Sequence, residues 1–67
     1  MVTRGQDSIS VLIIDDEVGI RMGLRLLIDG AERIRVVGEG VNGNEALTLA
    51  ARHDPDVILM DVRMPGL

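Results

Sequence analysis

The 67-residue chain carries 11 acidic residues against seven basic ones, a net charge of −4, so it offers no basic footprint for nucleic acid or an anionic membrane. With no cysteine and no aromatic residue it can build neither a disulfide or thiolate–metal framework nor a base-stacking platform. An apolar fraction of 46% suits a globular segment, and this length sets a ceiling of one small domain that buries about 60% of its unfolded surface.

Residues 1–8 are polar, lack the apolar core of a signal peptide and are expected to form a flexible tail. No apolar run approaches the ~20 residues of a membrane span, so a cytoplasmic protein without membrane attachment is the expectation. Ile9–Ile14 is a near-continuous apolar run, the pattern of a strand covered on both faces. Asp15-Asp16-Glu17 follows, with Asp15 or Asp16 placed to cap the next helix and Glu17 near its positive end. That helix is expected over residues 18–29, with Ile20, Leu24, Leu27 and Ile28 on one face and Arg21 and Arg25 on another. Gly19 and Gly23 weaken it by roughly 1 kcal/mol each, and Gly30 is placed as a stop.

Residues 34–39 read as a second strand. Arg33, Arg35 and Glu39 mix with Ile34, Val36 and Val37, which suits an edge. Asn42 and Glu45 are spaced as a capping box for a second helix over about residues 43–52, packing through Ala46, Leu47 and Ala50. Asp54-Pro55 ends it, and the exposed His53 at its end suits the helix dipole. Val57–Met60 is again fully apolar, and Asp61 follows it.

The two apolar strands should lie inside the sheet and the mixed strand at its edge, giving a parallel order 2-1-3 with helices on opposite faces. Strands about 4.8 Å apart then bring Asp15, Asp16 and Asp61 to one switch point at the carboxyl edge. One acid alone is adequately explained as a cap or a strand end. Three together repel unless a hard cation neutralises them, and Mg²⁺ (or Mn²⁺) with carboxylates and a phosphate answers that need. The Met64-Pro65-Gly66 turn bends the chain away behind them, as a loop around a ligand must.

Val11-Leu12-Ile13-Ile14-Asp15-Asp16-Glu17, Val36-Val37-Gly38-Glu39, Asn42-Gly43-Asn44-Glu45-Ala46-Leu47 and the stretch from Asp56 to Leu67 resemble the receiver domain of two-component response regulators. The resemblance runs from Ser10 to Leu67. Asp61-Val62-Arg63-Met64-Pro65-Gly66 is most similar to regulators with a LuxR-type helix-turn-helix output. It implies an α/β, flavodoxin-like three-layer fold, here βαβαβ, with residues 9–67 as the N-terminal half of a receiver. It implies Asp61 as phosphoacceptor from a sensor histidine kinase rather than an enzyme's active-site residue. It also implies Mg²⁺ held by Asp15, Asp16, Asp61 and the Arg63 backbone carbonyl, and DNA contact only through an output domain. A receiver further has a Ser or Thr and a Lys on two later strands and an aromatic switch residue. This chain has no lysine and no aromatic, and its hydroxyls are Thr3, Ser8, Ser10 and Thr48. A sheet that stops at the third strand is expected to self-associate through that strand's open edge.

A dinucleotide fingerprint competes: Gly38, Gly40 and Gly43 are spaced G-x-G-x-x-G between a strand and a helix, as in half of a Rossmann domain. The Arg-bearing edge strand and Glu39 beside a pyrophosphate argue against it, and it leaves Asp15-Asp16-Glu17 unexplained. An aspartyl-phosphate hydrolase of the haloacid dehalogenase type needs a second Asp two residues after Asp61, where Arg63 stands.

Overall fold

The computed structural model describes residues 8–61. Five elements follow one another: β1 (Ile9–Ile14), α1 (Val18–Asp29), β2 (Ile34–Gly40), α2 (Gly43–His53) and β3 (Val57–Met60). β1, α1 and β3 have the bounds expected from sequence, and β2 and α2 each run one residue further. The strands form one parallel sheet in the order β2-β1-β3, the expected flavodoxin-like arrangement.

β1 is the centre of the core because, among the described residues, it is the one strand hydrogen-bonded on both sides. Leu12, Ile13 and Ile14 are fully buried, and each such side chain contributes about 1.5–3 kcal/mol relative to exposure. Leu12 and Ile14 pack with Ala46, and Val37, Leu49, Ala50 and Met60 close around them. β2 shows how the two helices divide the faces. A Cβ on Gly38 or Gly40 would point at Leu49 of α2, whereas Glu39 between them pairs with Arg21 and Arg25 of α1. The helices therefore cover opposite faces, as right-handed crossovers in this strand order require.

The packing of both helices differs from the sequence expectation by one side chain. α2 packs through Ala46, Leu49 and Ala50, while Leu47 is 73% exposed. The i, i+3, i+4 stripe sets the buried sector, and Leu47 falls on its flank. On α1 the half-buried stripe is Leu24 and Ile28, with Ile20 at its upper end, and Leu27 is 75% exposed for the same reason.

β2 lies at an edge, as its mixed composition predicted. It also carries an irregularity that no sequence signal announced: pairing passes from Val11↔Val36 to Leu12↔Gly38, leaving Val37 as an extra residue, a β-bulge. β3, apolar enough for an interior strand, presents the open edge expected in this chain: among the described residues it pairs with β1 alone, and Val57, Ile58 and Leu59 stay about 40% exposed. The physical reason is that covering β3 takes a neighbour on its far side, which residues 8–61 do not supply.

The capping box forms with a shift. Asn42 Oδ1 accepts from the Glu45 N–H at 2.8 Å, and Glu45 Oε1 accepts from the N–H of Val41, one residue ahead of the cap, at 2.8 Å. Asp54 closes α2 in the left-handed region, φ 46°, with its N–H on the Ala50 carbonyl. Gly30 ends α1 with a right-handed φ of −81°, so the left-handed residue of that connection is Arg33, φ 69°.

A candidate acidic metal and phosphoryl site

Three strand-end acids meet because the backbone carries the sheet one residue beyond its ladder. Ile14 pairs with Met60. The Asp61 N–H then donates to the Ile14 carbonyl at 3.1 Å, and the Asp15 N–H donates to the Gly40 carbonyl at 3.0 Å. Asp15 is thus fixed to β2 and Asp61 to β1. Carboxylate oxygens of Asp15, Asp16 and Asp61 come within 4.8 Å of one another. Asp15 is buried, Asp61 half-buried and Asp16 exposed, so the cluster opens toward solvent from a buried base.

Capping by these acids was expected and does not occur in that form. The N-cap of α1 is Glu17, with no side-chain cap bond. Asp15 Oδ1 instead accepts the Glu17 N–H at 2.8 Å, which orients the Asp15 carboxylate within the turn. Asp16, the exposed acid of the three, makes no hydrogen bond or ion pair among the described residues.

The donor set suits a small hard cation. Oxygens around Mg²⁺ at 2.0–2.1 Å lie about 3 Å apart when adjacent and about 4.2 Å when opposite. Three oxygens within 4.8 Å of one another close onto such an ion with shifts of about an ångström or less. The Arg63 carbonyl and the Met64-Pro65-Gly66 turn lie outside the described residues, as do residues 1–7.

Arg21 belongs to this neighbourhood and was missed as more than a helix-face cation. Its Nη1 donates to the Asp15 backbone carbonyl at 2.7 Å, and its Nε lies 3.4 Å from Glu39 Oε1. Glu39 also pairs with Arg25, which pairs with Asp29 at 3.6 Å and whose guanidinium Glu39 holds above its ordinary pKa. The i, i+4 spacing of Arg21 and Arg25 on a helix facing an edge-strand Glu was the available signal.

The G-x-G-x-x-G spacing is absorbed by packing. A Cβ on Gly38 would lie 3.0 Å from Leu12 Cδ2, and one on Gly40 would lie 3.0 Å from Ile14 Cδ1 and 3.2 Å from Leu49 Cδ1. Both glycines let α2 approach the sheet, and Gly43 is the first residue of α2. Packing accounts for Gly38 and Gly40 without a phosphate, and the dinucleotide reading is set aside. His53 stands exposed beside Arg52 in the last turn of α2, as the dipole favours.

No helix among the described residues is long and apolar enough to cross a membrane. Residues 11–67 match the family model described as the response regulator receiver domain. The nitrate/nitrite response regulator protein NarL of Escherichia coli K12 is 45% identical over 62 residues, covering 92% of this chain and 29% of that protein. The transcriptional regulatory protein LiaR of Bacillus subtilis is 46% identical over 59 residues, 88% of this chain and 28% of its own length. The response regulator GacA of Pseudomonas aeruginosa is 42% identical over 59 residues, again 88% and 28%. The chain thus spans less than a third of the length of these curated relatives, from which it takes the receiver portion. With the parallel β2-β1-β3 sheet and its acidic carboxyl edge, this chain belongs to the response regulator receiver domain family.

Proposed function

We propose that Asp61 is the phosphoryl acceptor of a two-component relay, charged by the phosphohistidine of a sensor histidine kinase. The observation that carries this reading is the convergence of Asp15, Asp16 and Asp61 within 4.8 Å at the end of the two paired strands. An Asp61 carboxylate oxygen attacks phosphorus, the P–N bond to the kinase imidazole breaks, and the electron pair leaves on the imidazole nitrogen. Asp15, Asp16 and Asp61, with the backbone carbonyl of Arg63, would hold Mg²⁺ or Mn²⁺, which would offset the charge of the carboxylates and of the incoming phosphoryl oxygens, leaving the chain the task of positioning. The exposed Asp16 faces solvent, the side from which the kinase histidine would approach, while the buried Asp15 fixes the base of the site.

Downstream, the reading is control of transcription through an output domain of the LuxR helix-turn-helix kind, supported by relatives whose names are those of transcriptional regulators. The exposed row of Val57, Ile58 and Leu59 supports pairing of this 67-residue chain with a second copy along β3.

Transfer of labelled phosphate from an autophosphorylated sensor kinase tests the acceptor. Label should appear on this chain weakly, since no lysine is present to hold the phosphoryl group. It should be released by hydroxylamine, as an acyl phosphate is, and be lost in Asp61→Asn. Label that persists in Asp61→Asn, or that resists hydroxylamine, would overturn the assignment.

A further inference from the structure

The acids of the site are carried by a turn, and that turn is held from outside by one side chain. We propose that Arg21 is a positioning residue for the acidic site, clamping the β1–α1 turn through its bond to the Asp15 carbonyl while Glu39 holds its guanidinium in place. The inference rests on the metal-binding reading of Asp15, Asp16 and Asp61.

Four observations carry it. The Arg21 side chain is 15% exposed and reaches back across the first turn of its own helix to the Asp15 carbonyl at 2.7 Å. Its backbone N–H bonds the Glu17 carbonyl at 3.1 Å, so helix and side chain grip the same turn at both ends. The Asp15 N–H is fixed to Gly40, and the Glu17 N–H to the Asp15 carboxylate. Asp15 thus has its amide, its carboxylate and its carbonyl each bonded, and Arg21 supplies the third bond. Finally, the network is electrically neutral: Arg21 and Arg25 stand against Glu39 and Asp29. A bare guanidinium this close would oppose a bound cation. Paired with Glu39, it orients the turn without adding net positive charge.

Arg25 is the built-in control. It shares the Glu39 carboxylate but does not touch Asp15. Loss of either arginine removes an ion pair between α1 and β2, and only loss of Arg21 frees the turn.

Mg²⁺ titration of the folded chain, read from the amide resonances of residues 15–17 and repeated with Mn²⁺, decides. Arg21→Gln should raise the dissociation constant about ten-fold, the usual size of effect for a group that orients a ligand. Arg21→Lys, with one donor in place of a fork, should recover part of that loss. Glu39→Gln should also weaken binding, since it unseats and unmasks the guanidinium. Arg25→Gln should stay within about two-fold of wild type. If Arg21→Gln does not fold, Arg21→Lys and Glu39→Gln carry the test. Wild-type affinity in both Arg21 variants, or an equal loss in Arg25→Gln, would overturn the inference and leave the metal reading standing. Binding that survives Asp16→Asn combined with Asp61→Asn, or no saturable binding by wild type, would overturn the metal reading and this inference with it.

Discussion

The two ends of the β1–β3 pair carry acids with opposite surroundings. At the amino end Asp56, one residue before β3, faces Ser10 of β1. Asp56 Oδ2 accepts from the Ser10 N–H at 2.8 Å and from its hydroxyl at 3.1 Å, and the Asp56 N–H returns a bond to Ser10 Oγ at 3.0 Å. At the carboxyl end Asp61, one residue after β3, faces two further acids within 4.8 Å. The same strands and the same residue type give a clasp at one end and a site at the other. An aspartate that meets donors closes a structure, whereas aspartates gathered at one edge repel one another, a repulsion that a bound cation would offset.

The carboxyl end depends on a close approach, which Gly40→Ala attacks most directly. The added Cβ would meet Ile14 Cδ1 at 3.0 Å, Glu45 Cβ at 3.1 Å and Leu49 Cδ1 at 3.2 Å at once. Overpacking of this kind costs about 1–3 kcal/mol, read as a lower urea midpoint, and should move the Asp15 amide resonance because Gly40 accepts its bond. Gly38→Ala meets one flexible Leu12 methyl at 3.0 Å and should cost less. An equal or absent effect at Gly40 would show that the site end tolerates a wider separation of α2 and sheet.

At the amino end the comparison is sharpened by pH. The hydrogen bonds from the Ser10 backbone and hydroxyl hold the Asp56 carboxyl below its ordinary pKa, aided by Arg35 and opposed by burial. Because the folded value lies below the unfolded one, the carboxylate's contribution to stability is complete above about pH 4 and is lost as pH falls through the folded value. Asp56→Asn should lower the melting temperature at neutral pH, and its deficit against wild type should shrink as the solution is acidified below about pH 4. A deficit that stays constant down to the acid limit would mean that the clasp acts through shape and not charge.

The same contrast explains what could be read in the sequence. The convergence of Asp15, Asp16 and Asp61 was legible because they follow the apolar runs of residues 11–14 and 57–60, so their positions depend on strand length and order. The clasp was not, because Ser10 sits inside β1 and Asp56 is 46 residues away. Nothing local marks that pair. Arg21 was half legible: its helix face was evident, but its reach to Asp15 depends on how α1 is tilted against the β1–α1 turn. Leu47 and Leu27 were misplaced because a helix's apolar sector is fixed by the facing sheet, and composition alone cannot choose between adjacent flank positions. The bulge at Val37 left no trace, since Val36 and Val37 are equally at home in a regular strand.

The smallest predicted effect lies at the amino end, in the connection from α1 to β2. Arg33 adopts φ 69°, and its carbonyl accepts the Ile9 N–H that starts β1–β2 pairing. For a residue with a Cβ this conformation costs about 1–2 kcal/mol through crowding against the following carbonyl. Arg33→Gly removes that cost but gives the unfolded chain more freedom, an offset of about 0.4–1 kcal/mol. The net expectation is stabilisation by about 0.5–1 kcal/mol, a rise in melting temperature of roughly 2–8 °C for a chain of this size. Arg33→Ala separates backbone from charge, since it removes the guanidinium and keeps the Cβ. It should give none of the gain. If Ala and Gly stabilise equally, the effect belongs to the arginine's charge and the left-handed turn carries no strain worth relieving. Asp54→Gly, at φ 46°, should gain less than Arg33→Gly because aspartate tolerates the left-handed region better than arginine does.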